Sequence, residues 1–257
     1  MVSEQLGILI TGAGSGLGQG LARFLAGKKR RLFLADLRLD AVQETISTID
    51  EDRRNASAFV VDVTSSTQVR DFLQSIGDQR IDVIINNAGL QHVSGIEEFP
   101  ESKWDLLIDV MLKGPFLLTQ AILPRMREQG FGRIVNIGSI HALIGSPFKS
   151  AYVAAKHGLL GLSKAVALES AGMDITINTV CPAYVRTPLV DAQIRSQAQA
   201  HHISEQEVID KIMLEPMPKK AFITIEEVGA AVEFLMSHEA RNITGQTIVI
   251  DGGWTAR

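Results

Sequence analysis

Residues 6–18 read LGILITGAGSGLG, a short apolar run that leads directly into a glycine-rich segment. The apolar part is typical of a buried β-strand, and Leu17–Ala26 has the amphipathic pattern of a helix. Glycines at a strand-to-helix turn let the backbone approach a pyrophosphate closely, and the helix N-terminus supplies free N–H groups and partial positive charge. A glycine-rich string is weak by itself, but these flanks predict a dinucleotide-binding loop. The residues expected to contact the cofactor are Gly12, Ser15, Gly16, Leu17 and Gly18.

The rest of the chain repeats the alternation of apolar strand and amphipathic helix. Further short runs, rich in Ile, Val and Leu and apolar on both faces, are Arg31–Ala35, Ala58–Val61, Val83–Ile85, Arg133–Ile137, Ile175–Val180 and Thr247–Ile250. Helical patterns between them include Leu39–Ile49, Thr67–Ile76 and Ala151–Ser170. This alternation predicts a doubly wound α/β fold with a parallel sheet covered on both sides. Ligands of such sheets bind beyond the carboxyl ends of the strands, so the loops that follow the strands should carry the function.

We expect one domain over residues 1–257, because no linker, charge block or low-complexity segment divides the chain. The alternation is interrupted between Pro182 and Ile225, where two polar helical stretches replace the strand signal, at about Leu189–Ala200 and Ser204–Leu214. An insertion of this length in a compact domain is usually functional. It predicts a helical substrate lid over about residues 186–222, with a surface decoration as the alternative.

Composition argues against several classes of function. The net charge of −4 provides no overall basic field for nucleic acid or an anionic membrane, and the basic run 28–31 is interpreted as a solvated helix end. The single cysteine, Cys181, excludes an intrachain disulfide and is expected to be a buried structural thiol. No metal site is expected, because the histidines lack acidic or thiol partners at ligand spacing. Without a signal-peptide pattern in MVSEQLGILITG or an apolar run of about 18 residues, the expectation is a cytoplasmic protein.

Acidic and small residues after the next strands extend the expected cofactor site. A carboxylate at Asp36 can accept hydrogen bonds from the adenosine ribose and would repel the 2′-phosphate of NADP. Arg38 could bind that phosphate instead, and we favour NAD. Asp62 and Val63 end the third strand, where a carboxylate could receive the adenine amine. Small residues that let the chain pass close to the cofactor end the fourth strand: Asn87, Ala88 and Gly89.

Three residues after the fifth strand have the pattern of an acid/base centre. Ser139 follows that strand, and Tyr152 and Lys156 are four residues apart near the start of a helix, which puts them on one face. Tyrosine is too weak an acid near neutrality, but a neighbouring ammonium and the positive end of a helix lower its pKa. Tyr152 is therefore predicted to take the hydroxyl proton of an alcohol while a hydride passes to nicotinamide, with Ser139 holding the substrate oxygen. Alone, the Tyr152–Lys156 pair would be interpreted as an ordinary surface pair.

Together these motifs resemble the classical short-chain dehydrogenase/reductase family. The resemblance rests on Gly12-x-x-x-Gly16-x-Gly18, residues 86–89, Ser139 and Tyr152-x-x-x-Lys156, and it covers essentially the whole chain. It implies a Rossmann-type, seven-stranded parallel sheet, an oxidoreductase that uses a nicotinamide dinucleotide, and usually a homotetramer. It also implies that Tyr152 and Lys156 contact the cofactor, as does Pro182, and that Thr187 touches the nicotinamide carboxamide.

A narrower resemblance, to the D-3-hydroxybutyrate dehydrogenase subgroup, rests on residues 91–93, 139–141, 146–152 and 251–256. It implies that the substrate carboxylate is bound by Gln91, His141, Lys149 and Gln193. A cation with directional donors suits a small carboxylate. The implied reaction is the reversible NAD-dependent oxidation of (R)-3-hydroxybutyrate to acetoacetate. The alternatives are a dehydrogenase of another small hydroxy acid or of a sugar alcohol, and a dinucleotide-binding sensor without catalysis.

The sequence departs from the family at two positions. Met111 replaces an asparagine that is thought to bend its helix and to present a main-chain carbonyl to a water in the proton relay from the lysine. Pro115, four residues later, has no N–H to donate to the Met111 carbonyl, so we expect Met111 to serve the relay through that carbonyl. Ala183 stands where the family commonly has glycine and demands an ordinary backbone conformation, so we expect a small adjustment near the nicotinamide.

Overall fold

The computed structural model describes residues 5–27, 29–49 and 55–256. Residues 1–4 of the N-terminal stretch and Lys28 of the basic run lie outside the described residues. Within these ranges the sheet has seven parallel strands in the order β3-β2-β1-β4-β5-β6-β7, which confirms the predicted doubly wound fold. The strands are β1 (Leu6–Thr11), β2 (Arg30–Asp36), β3 (Ala56–Val60), β4 (Val83–Asn86), β5 (Phe131–Ile137), β6 (Asp174–Pro182) and β7 (Thr247–Ile250).

Helices connect the strands and form the outer layers. They are α1 (Gly16–Leu25), α2 (Leu39–Ile49), α3 (Ser66–Ser75), α4 (Glu101–Ile108), α5 (Gly114–Gln129), α6 (Ser150–Glu169), α7 (Pro188–His201), α8 (Glu205–Val208) and α9 (Ile225–Met236). A π-helical segment, Asp109–Lys113, joins α4 to α5 without a break in the helix. Of these, α4, α5 and α9 are not among the helical patterns named from the sequence.

Alternation along the strands explains why they are apolar on both faces. In β1, Ile8 and Ile10 belong to the core that includes residues of α1, α2 and α9, whereas Leu9 belongs to the core under α3, α5 and α6. Successive side chains of a strand point to opposite faces, so β1 to β6 contribute to both cores, whereas β7 contributes only to the first, through Ile248 and Ile250. The sheet is therefore a buried central layer, as expected for parallel strands covered by helices.

A chain of buried polar side chains crosses the sheet near the carboxyl ends of β4, β5 and β6. Asn86 donates through Nδ2 to Oδ1 of Asn136 at 2.7 Å, and Asn136 donates through Nδ2 to Oγ of Ser163 at 2.9 Å. Ser163, on α6, also lies 3.0 Å from the hydroxyl of Thr179 on β6. Buried polar groups are costly unless they are paired, so this chain fixes α6 relative to three strands.

The interruption after β6 is a helical insertion, as predicted. Val190 and Ile194 of α7 pack against Val208 and Met213, which follow from α8 into a second π-helical segment, Ile209–Met213. The two ends of the insertion are joined by a parallel bridge between Val185 and Ile223. The insertion therefore has its own small core and a fixed base.

One continuous helical stretch, Glu101–Gln129, is long and apolar enough by length and composition to cross a membrane. It passes this criterion because hydropathy is averaged over a window, whereas the sequence analysis looked for an uninterrupted apolar run. Half of its most apolar window is buried inside the molecule, where Leu118, Ile122 and Met126 belong to the core on one face of the sheet. Buried core helices of soluble proteins meet the same criterion.

Candidate active site

A cavity of about 530 Å³ lies where the parallel strands end. Loops after β1 to β6 all contribute to its wall, in agreement with the general position of ligands in such sheets. Of the site residues named from the sequence, all but Gly18 line it: Gly12, Ser15, Gly16, Leu17, Asp36, Asp62, Val63, Asn87, Ala88, Gly89, Gln91, Met111, Ser139, His141, Lys149, Tyr152, Lys156, Pro182, Thr187 and Gln193.

Gly18 differs from the other glycines predicted to contact the cofactor in that it does not line the cavity. Gly18 is buried behind the loop, and a Cβ atom there would lie 2.1 Å from the carbonyl oxygen of Gly12. The residue is glycine because α1 packs directly against the glycine loop. Gly12 and Gly16, by contrast, line the cavity and have left-handed backbone, with φ of +64° and +54°.

The half of the cavity that contains the glycine loop, Asp36, Asp62 and Asn87 is called the cofactor half here. Its polar side chains are held by hydrogen bonds within the protein. Asp36 accepts from the backbone N–H groups of Gly14 and Arg38 at 3.0 and 3.2 Å. Asn87 donates through Nδ2 to the carbonyl oxygen of Thr11 at 2.9 Å, which ties the end of β4 to the start of the glycine loop. These contacts fix the wall before any ligand binds.

Arg38, which the sequence offered as a possible phosphate ligand, pairs instead with Asp40. The guanidinium donates to both carboxylate oxygens of Asp40, through Nε at 3.3 Å and a terminal nitrogen at 2.6 Å. Both side chains are about 70% exposed, so solvent screens the pair. The Asp40 carboxylate nevertheless offsets the positive charge of Arg38, and the pair lies next to the Asp36 carboxylate.

Asp62, at the end of β3, is fixed in a similar way. Its Oδ1 accepts from both the backbone N–H and the hydroxyl of Thr64, at 2.9 and 2.7 Å, while its own N–H donates to Gln68. The carboxylate still faces the cavity beside Val63. Its position is therefore set by the turn that leads into α3.

Ser139, Tyr152 and Lys156 meet at the centre of the cavity. Ser139 follows β5, and its Oγ accepts the backbone N–H of His141 at 3.2 Å. Tyr152 lies in the first turn of α6, and Nζ of Lys156, one turn later, lies 5.7 Å from the centre of the tyrosine ring. The same Nζ donates to the carbonyl oxygen of Ile137 at 2.6 Å. The predicted i, i+4 arrangement thus places all three groups on one side of the cavity.

The pKa of Tyr152 does not shift in the expected direction. Burial raises the pKa of the Tyr152 phenol, and a hydrogen bond with the Ser139 hydroxyl lowers it by less. Burial also lowers the pKa of Lys156 to about 8, and this ammonium is directed at the Ile137 carbonyl. The expectation that Lys156 lowers the tyrosine pKa overlooked the burial of both groups, which penalises their charged forms.

The other half of the cavity, lined by Gln91, His141, Lys149 and Gln193 and called the substrate half here, contains a buried ammonium. Lys149 is only 8% exposed, precedes α6 directly and lines the cavity. Its ammonium has no hydrogen-bond or ion-pair partner among the described residues, and its Nζ lies 5.8 Å from the ring centre of Tyr184. Burial lowers the pKa of Lys149. The protein thus holds a cation in this half without a matching anion in its described part.

His141 lies beside it and is neutral. Burial, and secondarily the charge of Lys149, lower the pKa of His141 to about 4. Its ring packs edge-on against Tyr152 and Trp254, with ring centres 6.3 and 6.1 Å apart, and its buried Nδ1 has no hydrogen-bond partner in the described part of the chain. A neutral imidazole supplies one donor and one acceptor.

The two glutamines expected at the substrate face this half from opposite sides. Gln91 follows the end of β4, and its Oε1 accepts the backbone N–H of His92 at 3.1 Å, which leaves its amide N–H groups as donors. Gln193 lies on α7 in the helical insertion and is half-buried. Both line the same cavity.

Sequence reasoning missed two aromatic residues of this half, Tyr184 and Trp254. Their ring centres are 5.8 Å apart, and both line the cavity. Tyr184 lies two residues after the end of β6, a position at which strand topology could have identified it. Trp254 lies in the C-terminal turn after β7, far along the chain from the other site residues, and no spacing pattern pointed to it.

The structure also describes the two departures from the family pattern. The N–H of Gly114 donates to the carbonyl of Asp109, five residues back, so it is not available to Val110 in the usual helical pattern. Pro115 has no N–H for the Met111 carbonyl. The Met111 side chain is buried in a cluster with Ala151 and Ala155 of α6.

Ala183 has an ordinary backbone: the only non-glycine residues with positive φ in the described ranges are Phe148, His202 and Lys220.

Metal binding and thiol chemistry find no support at this site. Among the described residues, no three or more His, Cys, Asp or Glu side chains are grouped to hold a metal ion. Cys181 is buried, and burial raises the pKa of its thiol to about 11. A thiol of this kind is inert and structural.

Similarity to known proteins extends over nearly the whole chain. Residues 7–198 match the family described as short chain dehydrogenase. A D-beta-hydroxybutyrate dehydrogenase from Rhizobium meliloti is 41% identical over 97% of this chain and 98% of its own, and one from Cupriavidus necator is 37% identical over 97% of each. A solved structure from Agrobacterium tumefaciens with bound NADP, provisionally assigned as a 2-deoxy-D-gluconate 3-dehydrogenase, superposes with a TM-score of 0.86 at 34% identity, over 99% of this chain and 98% of its own. This chain therefore belongs to the short chain dehydrogenase family.

Proposed function

We propose that this oxidoreductase catalyses the reversible NAD-dependent oxidation of (R)-3-hydroxybutyrate to acetoacetate. The observation that carries the proposal is Lys149, a buried ammonium in the cavity with no counter-ion among the described residues. A buried charge is costly unless it is paired. A substrate carboxylate would provide the missing partner, and the names of the two relatives at 41% and 37% identity support this choice of acid.

The surroundings of Lys149 suit a small carboxylate. Neutral His141 and the amides of Gln91 and Gln193 can add directional hydrogen bonds around the same charge. The rings of Tyr184 and Trp254 close this end, which leaves room for a short carbon chain beside the acid/base group. A sugar alcohol, which is neutral, would leave the ammonium unpaired.

In the proposed reaction Tyr152 accepts the hydroxyl proton as the C–H hydride leaves the substrate. Ser139, next to it, would hold the reacting oxygen. Lys156 is the buried cation near the ring that would stabilise the tyrosinate before it takes the proton. A bound nicotinamide dinucleotide would supply the hydride acceptor, and the positive charge of its oxidised ring would favour the tyrosinate that burial alone disfavours.

The residues present fit a nicotinamide dinucleotide, and we propose NAD. The glycine loop presents backbone without side chains to the ligand, because Gly12 and Gly16 line the cavity with left-handed backbone, at φ of +64° and +54°. Asp36 faces the cavity at the end of β2, and Arg38 is paired with Asp40. A 2′-phosphate would meet a carboxylate and an arginine that is already engaged. The NADP in the Agrobacterium structure makes this preference a point to measure.

We also propose that Met111 serves the proton relay through its main-chain carbonyl. The shifted hydrogen bond of Gly114 and the missing N–H of Pro115 leave two consecutive carbonyls, of Val110 and Met111, without their usual helical donors. A carbonyl freed in this way can hold a water that leads to Lys156. The side chain that the family uses at this position is then not required.

Other expectations for this protein remain proposals drawn from the family resemblance and composition. They are a single domain, a homotetramer, a cytoplasmic location, a lid function for the helical insertion, and no nucleic-acid or membrane partner. Light scattering of the purified protein would test the assembly directly.

Two other functions compete with the proposal. A dehydrogenase of a different small hydroxy acid would keep every role above, and the gluconate-type relative represents this class. A non-catalytic dinucleotide sensor would explain Met111, but it leaves the convergence of Ser139, Tyr152 and Lys156 without a purpose.

The deciding experiment measures initial rates of NADH formation from (R)-3-hydroxybutyrate, its S enantiomer and the neutral alcohol butan-2-ol, with NADP in parallel reactions. The proposal expects turnover of the R acid with NAD and little with the other combinations. Turnover of butan-2-ol equal to that of the acid would refute the role of Lys149. Tight NAD binding without turnover of any substrate would favour the sensor.

A further inference from the structure

The C-terminal turn after β7 is organised by one carboxylate, that of Asp251. The residue is only 9% exposed and accepts three hydrogen bonds. Its Oδ1 accepts the N–H of Gly253 at 2.9 Å, and its Oδ2 accepts the N–H and the hydroxyl of Thr255 at 2.7 and 2.6 Å. A charged acceptor makes stronger hydrogen bonds than a neutral one, so Asp251 closes residues 251–255 into a compact turn.

This turn holds Trp254 in the wall of the substrate half. Gly252 and Gly253 have φ of +60° and +91°, a left-handed backbone that reverses the chain directly before the tryptophan. The indole then lies between His141 and Tyr184, with ring centres 6.1 and 5.8 Å away. Residues near a chain end are poorly ordered unless something holds them, and the carboxylate of Asp251 does so here.

The same turn contacts the returning end of the helical insertion. Lys219 donates its backbone N–H to the carbonyl of Gly252 at 3.2 Å. A Cβ atom at Gly252 would lie 3.2 Å from Met217, and one at Gly253 would lie 3.3 Å from Pro218. The turn therefore packs closely on residues 217–219, and the position of Trp254 is coupled to the base of the insertion.

We propose that Asp251 is a positioning residue that sets the length of substrate the enzyme accepts. Its carboxylate keeps Trp254 at the end of the substrate half and keeps the turn docked on the base of the insertion. When the turn loosens, the wall retreats, short substrates are held less firmly and longer ones gain space. The choice of hydroxy acids as substrates rests on the proposed function, whereas the position of Trp254 does not.

The experiment uses Asp251→Asn and Asp251→Ala in the full-length protein, with Thr255→Val as a milder change that removes one of the three hydrogen bonds. Asp78→Asn, at an exposed position outside the cavity, is the matched control for loss of one negative charge. A Trp104→Phe background leaves Trp254 as the single tryptophan, so its emission and acrylamide quenching report the position of the wall. Trp104 packs against Phe99 and does not line the cavity.

The expected result is a graded one. Quenching of Trp254 should increase in the order Thr255→Val, Asp251→Asn, Asp251→Ala. The KM for the four-carbon acid should rise by about tenfold in Asp251→Asn, the size of one lost charged hydrogen bond. The ratio of kcat/KM for six-carbon to four-carbon 3-hydroxy acids should rise, while the KM for NAD stays unchanged.

Two results would overturn the proposal. One is unchanged Trp254 quenching in both Asp251 variants. The other is a lower melting temperature with unchanged length preference, which would mean that Asp251 serves stability alone. If the wild-type enzyme does not use 3-hydroxy acids, the proposed function fails, but quenching and a length series of whichever alcohols it oxidises still decide the role of Asp251.

Discussion

The two halves of the cavity differ in whether their polar groups are already paired. In the cofactor half, Asp36, Asp62 and Asn87 all bond to neighbouring backbone or side-chain groups. In the substrate half, the Lys149 ammonium has no hydrogen-bond or ion-pair partner among the described residues. One half is complete within the protein, and in the proposed function a substrate carboxylate would complete the other.

This difference indicates where specificity resides. Paired groups form a rigid surface that accepts a dinucleotide largely through backbone shape, which many enzymes of this fold share. An unpaired buried group discriminates strongly, because a ligand that fails to pair it leaves the whole desolvation penalty in place. Mutations in the two halves should therefore affect different kinetic constants.

Tyr152 lies between the two halves, and Tyr152→Phe should have the largest effect on turnover of the changes considered. The change removes only the hydroxyl, so turnover should fall by about a thousandfold or more while NAD affinity changes little. Steady-state rates and NAD titration by fluorescence measure the two quantities. Retention of a substantial part of the wild-type kcat would show that another group carries the proton.

Lys149→Ala should impair the substrate half selectively. Loss of the buried ammonium should raise the KM for the hydroxy acid by about 10- to 100-fold, with the KM for NAD unchanged. The exposed Lys164, on the helix that follows Lys149, provides the control Lys164→Ala. An unchanged KM for the acid in Lys149→Ala would remove Lys149 from the carboxylate site.

Asp36 and Asp40 test the cofactor half. Asp36→Ala should reduce kcat/KM for NAD by about tenfold, because ribose hydrogen bonds are lost.

Asp40→Ala releases Arg38 and should raise kcat/KM for NADP by about threefold, a modest gain because the pair is exposed. The double change Arg38→Ala and Asp40→Ala should cancel that gain. A shift in preference among hydroxy acids would contradict the separation of the halves.

Pro115→Ala should have an effect as small as that of Asp40→Ala or somewhat larger. It supplies an N–H that can bond the Met111 carbonyl, so kcat should fall several-fold, by about three to ten, while the melting temperature holds or rises. Pro124→Ala, at an exposed position in the same helix, is the control. If kcat is equal in both variants and in the wild type, the Met111 carbonyl has no part in the relay.

Sequence patterns predicted what depends on local order along the chain. The strands follow from short Ile, Val and Leu runs, and the meeting of Tyr152 and Lys156 follows from their i, i+4 spacing. Other features depend on distant contacts. The pKa of Tyr152 depends on its burial, and Trp254 enters the cavity only because of the turn after β7. The close packing at Gly18 was not predictable, because packing and ligand contact both require glycine.

The buried polar chain from Asn86 through Asn136 to Ser163 has a consequence for redesign. It attaches α6, which carries Tyr152 and Lys156, to the interior of the sheet at a point two turns beyond the lysine. The helical insertion and the C-terminal turn contribute nothing to this attachment. Both could therefore be exchanged for those of a relative with another substrate, and the acid/base pair would keep its place.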